Sequence, residues 1–246
     1  MLIITDLKKT YGTTTACDIP SLTIHDGEIV GLVGNNGAGK TTLFRLMLDL
    51  AKADSGSITT TAPPHGNPAG TSPRHIDVAA SEEWKMFTGA YLNESFLIDY
   101  LTPEEYFDFL AKISGITHDE MQQSLSRFEP LAAGEVFGQR KLIRDLSAGN
   151  RQKAGIMAAF AASPSVVILD EPFNFLDPQS QNRLKKAIRE YNRATGATIL
   201  ISSHNLAHTV DISSRIILLE DGHVHSDITN NNDSAARELE NYFCSD

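Results

Sequence analysis

Short apolar blocks alternate along the chain with stretches of helical spacing, and turn residues separate them. Residues 2–5 and 14–19 read as strands flanking a turn at Tyr11-Gly12, and 21–24 runs into a second turn at Asp26-Gly27. Ile29 to Val33 is a continuous apolar run of buried-strand length that stops at Gly34. Leu43, Leu46, Met47 and Leu50 then recur at helical intervals. Residues 62–75 hold four of the ten prolines and two glycines, a loop with no means of building a core. A strand over 87–92 precedes Thr102-Pro103-Glu104-Glu105, a helix start with proline at the first helical position. Residues 104–128 read as helices broken near Gly115.

From Ser147 the alternation is regular: helix 150–162, strand Val166 to Leu169, helix 178–194, strand 198–202, helix 205–211, strand 216–219. Strands that alternate with helices imply a largely parallel sheet covered by those helices. An Asn-rich linker at 230–232 and a short amphipathic helix near 234–243 follow. The expected fold class is therefore α/β, a single domain over residues 1–246. Its core is drawn from 1–92, including an N-terminal antiparallel β subdomain, and from 146–229. A helical lobe is inserted at about 93–145, and 230–246 is a tail.

Composition narrows the function classes. A net charge of −10 argues against a nucleic-acid partner, since phosphate backbones are bound through clustered Lys and Arg. It argues equally against direct docking on anionic lipid. The most apolar stretch, Ala154 to Leu169, is interrupted by Ser163, Pro164 and Ser165, so no direct membrane insertion is expected. The two cysteines, Cys17 and Cys244, have no metal-ligand spacing and suit a reducing, cytoplasmic compartment.

Gly34-Asn35-Asn36-Gly37-Ala38-Gly39-Lys40-Thr41 fits the phosphate-loop pattern G-x-x-x-x-G-K-[ST], and Thr42 follows it. The glycines let the backbone curl so that successive N–H groups face an anion, and the following helix adds its positive end. Lys40 would reach the β- and γ-phosphates of ATP, and the Thr41 hydroxyl would ligate Mg²⁺. Val166 to Leu169 ends in two carboxylates at the strand edge where ligands of α/β sheets collect. Asp170 suits Mg²⁺, and Glu171 suits a general base on the attacking water. His204 follows another strand end in the same way. His223 and His225 share one strand face without a third ligand, which reads as an exposed hairpin. Ser147 is an N-cap candidate for the next helix, making a second anion site.

Together these residues resemble an ABC (ATP-binding cassette) ATPase of the P-loop NTPase type, from about Tyr11 to Asp221. Leu146-Ser147-Ala148-Gly149-Asn150 is similar to the family signature L-S-G-G-Q. The resemblance implies that Ser147, Ala148, Gly149 and Asn150 serve ATP bound to a second copy, or to a homologous ATPase subunit, in a head-to-tail dimer. It implies that Tyr11 stacks on adenine and that Asp177 lies in a loop facing the partner. It also makes His204 the residue that binds the γ-phosphate or orients Glu171. Three departures stand out. Ala148 replaces a glycine, at a cost of about 1 kcal/mol if φ there is positive. Asn150 replaces a glutamine. The glutamine expected before the lobe falls at Asn93-Glu94, where Asn93 keeps a carboxamide for Mg²⁺ or water and Glu94 would add charge beside Asp170 and Glu171.

The function implied is the ATP-hydrolysing motor of a transporter whose permease is a separate transmembrane chain, with the protein peripheral to the cytoplasmic face. The alternative is a non-transport ABC ATPase acting as a nucleotide-gated assembly or scaffold protein. Phe96, Tyr100, Tyr106, Phe107 and Phe109 in the lobe offer a permease-docking face, part of which could be lobe core.

Overall fold

The computed structural model of the protein describes residues 1–62 and 74–230. Most of the Pro-rich loop at 62–75, the helix near 234–243 and Cys244 lie outside the described residues.

Residues Leu2–Tyr11 (β1) turn at Gly12 into Thr14–Ile24 (β2). There follow Ile29–Val33 (β3), Lys40–Met47 (α1), Ser55–Thr61 (β4), His75–Asp77 (β5) and Thr88–Tyr91 (β6). The lobe contributes Pro103–Ser114 (α2), His118–Ser126 (α3) and Glu129–Ala132 (α4). Ala148–Phe160 (α5), Val166–Leu169 (β7), Pro178–Thr195 (α6) and Thr198–Ser203 (β8) come next. Leu206–Ile212 (α7), Arg215–Glu220 (β9) and His223–Thr229 (β10) complete the described chain. The residues form two compact units, Thr88–Ala197 and the remainder on either side of it.

In the unit built from Met1–Phe87 and the chain from Thr198 onward, β2, β1, β4 and β5 form an antiparallel sheet in that order. β1 and β2 are one long hairpin rather than three short strands. β2 continues through Pro20 because it lies at the sheet edge, where an absent N–H removes no ladder bond. β3 lies parallel between β8 and β9, and β10 returns antiparallel on β9. Every residue of β3 and β8 is buried, as expected for central parallel strands. Val33, Ile216 and Leu218 form a core cluster with Leu206, Val210 and Ile228 packed on it. His223 and His225 are exposed on β10, and His225 faces Glu220 at 3.1 Å.

In the unit Thr88–Ala197, β6 runs parallel to β7 with Tyr91 opposite Leu169. The helices α2 to α6 belong to the same unit. Phe160 stacks at its centre, 4.6 Å from the Phe128 ring and 4.8 Å from Tyr191. The Tyr191 hydroxyl donates to the Pro164 carbonyl at 2.7 Å, so the buried phenol keeps a partner. α2 starts on a capping box of Thr102 and Glu105 with Pro103 behind the cap, and α3 repeats the box with Thr117 and Glu120. α6 starts on Asp177, has Pro178 at its first turn and ends at left-handed Gly196.

Candidate functional site

The expected site residues fall into two sets, one in each unit. In the first unit, β3 delivers the chain to Gly34, where φ is 152° and a Cβ would run into the Leu219 carbonyl. Gly39, at φ 104°, is the residue before α1, and no side chain caps that helix. The start of α1 carries the positive end of its helix dipole, which favours an anion there. Lys40 is only 7% exposed: its Nζ curls back to donate to the Gly34 carbonyl at 2.6 Å and the Asn35 carbonyl at 3.2 Å. The ammonium is thus held against the carbonyls of its own loop. Asn35, Asn36 and Gly37 are exposed at the rim, Ala38 is buried beneath them, and Thr41 and Thr42 are half-buried on the first turn of α1.

The parallel register of β3 and β8 pairs Val33 with Ser203. Gly34 and His204 therefore leave the sheet at one carboxyl edge, the edge where ligands bind in open α/β sheets. His204 is exposed there. Tyr11, half-exposed at the end of β1, has the Lys9 ammonium 5.3 Å from its ring centroid.

In the second unit, Asp170 is buried at the end of β7 and its amide donates to the Tyr91 carbonyl at 2.8 Å. Glu171 follows in the left-handed region with φ 48°, and Phe175 repeats that conformation at φ 59°. Each such residue costs about 1 kcal/mol relative to an ordinary backbone, a strain typical of functional loops. The Phe175 ring is 73% exposed.

Ser147 caps α5, its hydroxyl accepting from the Asn150 amide at 3.2 Å. Ala148 is the first helical residue and is not left-handed, so the penalty expected for an alanine there does not arise. Gly149 is required by contact: a Cβ would sit 2.9 Å from the Phe175 carbonyl oxygen. Asn150 Nδ2 donates to the Glu135 carbonyl at 3.2 Å, which gives its shortened side chain a fixed seat. Ser147, Gly149, Asn150, Phe175 and Asp177 line one cavity of about 420 Å³ together with Lys153 and Glu135. Motif reading missed those last two. Lys153 is buried and its Nζ pairs with Glu135 Oε2 at 2.7 Å, so the cavity lining includes an ion pair. Asp177 accepts from the Ser180 hydroxyl at 2.6 Å and from the Gln179 and Ser180 amides, and these bonds hold its carboxyl down at about 2.

Asn93 caps the 3-10 turn Glu94–Phe96, its Oδ1 accepting from the Ser95 amide at 2.9 Å. Glu94 Oε2 pairs with Arg151 Nε at 2.7 Å on α5, so its charge is already matched. Of the lobe aromatics, Phe96, Tyr100 and Phe109 are exposed, whereas Tyr106 and Phe107 are core residues. The Arg144 guanidinium lies 4.9 Å from the Tyr100 ring centroid.

A family model described as ABC transporter matches residues 17–174. The tungstate uptake ATP-binding protein TupC of Peptoclostridium acidaminophilum is 30% identical over 91% of this chain and 96% of its own length. The methionine import ATP-binding protein MetN of Rhizobium johnstonii is 30% identical over 90% of this chain, which spans 59% of that relative. Among solved structures, an ATP-binding subunit of an ABC transporter superposes with a TM-score of 0.79 at 26% identity, covering 99% of this chain and 93% of that one. A dimeric cassette holding ADP and phosphate superposes with a TM-score of 0.79 over 94% of this chain and 100% of its own, and at 21% identity it speaks for the fold. With the family model covering well over half of the sequence and TupC matched along nearly its full length, the chain belongs to the ABC transporter family.

Proposed function

We propose that this chain is the ATP-hydrolysing subunit of a transport system, closing as a dimer on two Mg-ATP and driving a separate membrane permease. The observation that carries the reading is the phosphate loop. A buried lysine donates to its own loop carbonyls at the start of a helix. A triphosphate offers that ammonium better acceptors than neutral peptide carbonyls, because both partners of the bond are then charged.

Each remaining residue has a role that its placement supports. The amides of residues 34–42 and Lys40 bind the phosphates, and Tyr11 packs on the base. Mg²⁺ prefers hard oxygen donors, and a buried carboxylate at a strand end is such a donor; Asp170 and the Thr41 hydroxyl would hold the ion. When bound, the ion neutralises charge on the β- and γ-phosphates. Asn93 can add a neutral oxygen, since an amide carbonyl has a second lone pair beside the one given to Ser95. Glu171 polarises the attacking water and His204 binds the γ-phosphate. The cavity at Ser147 to Asn150 receives the γ-phosphate of the nucleotide held by a second copy, and Asp177 faces that copy.

TupC and MetN are named for uptake systems, and this supports a transport role driven through a permease. No helix among the described residues is long and apolar enough to cross a membrane. The exposed Phe96, Tyr100 and Phe109 are the surface on which we place the permease, with the protein peripheral to the cytoplasmic face. Titration calorimetry with Mg-ATP on Lys40→Ala tests the reading. Loss of about two orders of magnitude or more in affinity is expected from removal of a charge-assisted contact to phosphate. Near-native affinity would remove the loop from the nucleotide site.

A further inference from the structure

We propose that Tyr91 and Gln152 are positioning residues for Glu171, holding the backbone of the base through one buried hydrogen-bonded chain. The Tyr91 hydroxyl donates to Gln152 Oε1 at 2.6 Å, and Gln152 Nε2 donates to the Glu171 carbonyl at 3.2 Å. Tyr91 is 4% and Gln152 5% exposed, so neither bond is shared with bulk water. The chemistry leaves the carboxamide one orientation. A carbonyl only accepts, so the amide nitrogen must face Glu171, and the oxygen must then take the phenol proton. Burial pushes the Tyr91 phenol well above its ordinary range, so the donor stays protonated.

Tyr91 reaches the acidic pair twice. Its carbonyl accepts from the Asp170 amide at 2.8 Å, and its hydroxyl reaches Glu171 through Gln152. The Asn174 amide adds a second donor to the Glu171 carbonyl at 3.2 Å. Two donors on one carbonyl restrain the peptide plane that follows the left-handed residue. α5 is shaped for the arrangement. Gly155, three residues beyond Gln152, lies where any Cβ would strike the Tyr91 ring. Glycine inside a helix is otherwise disfavoured, and the tyrosine accounts for it here. Arg151 pairs with Glu94 at 2.7 Å, so two successive residues of α5 hold the last residue of β6 and the turn that follows it. A base must be held to within about 0.5 Å of its working geometry by such supporting contacts.

The inference rests on Glu171 as the base, and the experiment separates the two. Steady-state ATP hydrolysis and melting temperature are measured for Tyr91→Phe, Gln152→Glu, the double variant and Glu171→Gln. Tyr91→Phe removes only the donor to Oε1. Gln152→Glu keeps the acceptor for Tyr91 but has no donor for the Glu171 carbonyl. Both are expected to lower kcat by about tenfold with KM for ATP within about twofold, since misplacement by a fraction of an ångström acts on the chemical step. The double variant is expected to fall no further than Gln152→Glu alone, as the bonds act in series. Turnover at the wild-type rate in both single variants, beside an inactive Glu171→Gln, overturns the positioning role alone. So does a fall in rate that merely follows a fall in melting temperature. An active Glu171→Gln overturns the base assignment and this inference with it.

Discussion

Asp177 shows how local bonding sets the charge of a single residue. Hydrogen bonds from Ser180 and Gln179 lower its pKa from the ordinary 3.8 to about 2. A carboxyl depressed on folding adds stability above its unfolded pKa and loses it as pH falls through the folded value. The difference in melting temperature between wild type and Asp177→Ala should therefore be flat above pH 4 and shrink between pH 4 and 2. A difference that persists unchanged at the acid end would mean that the cap acts without its charge. At this scale the sequence is legible where a motif is contiguous: Ser147 reads as an N-cap and caps α5, and the Gly34 to Thr41 run leads from β3 into α1. It was silent where a residue's partner is remote. Tyr91 meets Gln152 across 61 positions and Lys153 meets Glu135 across 18, and no local pattern records such pairs. The condition attached to Ala148, a positive φ, is not met, because the residue after the Ser147 cap is already helical.

Among the elements, those with a strong period or a full cap were readable in advance. β3, β7 and β8 are short apolar runs, and α2 announces itself by Thr102, Pro103 and Glu105. β4 was missed because its residues, Ser-Gly-Ser-Ile-Thr-Thr-Thr, carry little apolar signal; Ile58 and Thr60 supply its buried face. β5 is three residues long and has no signal of its own. β2 runs unbroken through Pro20, where the sequence suggests two strands, since edge position is a property of the sheet and not of the local sequence. The capping box on α2 gives a direct test. Thr102→Ala removes the acceptor for the Glu105 amide and should lower unfolding free energy by about 1 kcal/mol, read from denaturant midpoints at constant slope. An unchanged midpoint would show that lobe packing, and not the cap, holds the start of α2.

Taken as a whole molecule, the chain places the Gly34 to Thr41 loop in one compact unit and a strained acidic loop with the helix capped by Ser147 in the other. Residues of these kinds, in a family member, are read as parts of one catalytic cycle. If the exposed aromatics dock a permease, as proposed, Tyr100→Ser with Phe109→Ser should weaken capture of a membrane permease in detergent extracts while leaving the ATPase rate of the isolated chain unaltered. Retained capture would move the docking face elsewhere. The most direct test of the central claim is Glu171→Gln in Mg-ATP, followed by phosphate release and light scattering on the same sample. The expected result is no turnover, with ATP retained in a particle of twice the chain mass. Phosphate release at the wild-type rate from a monomer would contradict both the base and the dimer that closes around it.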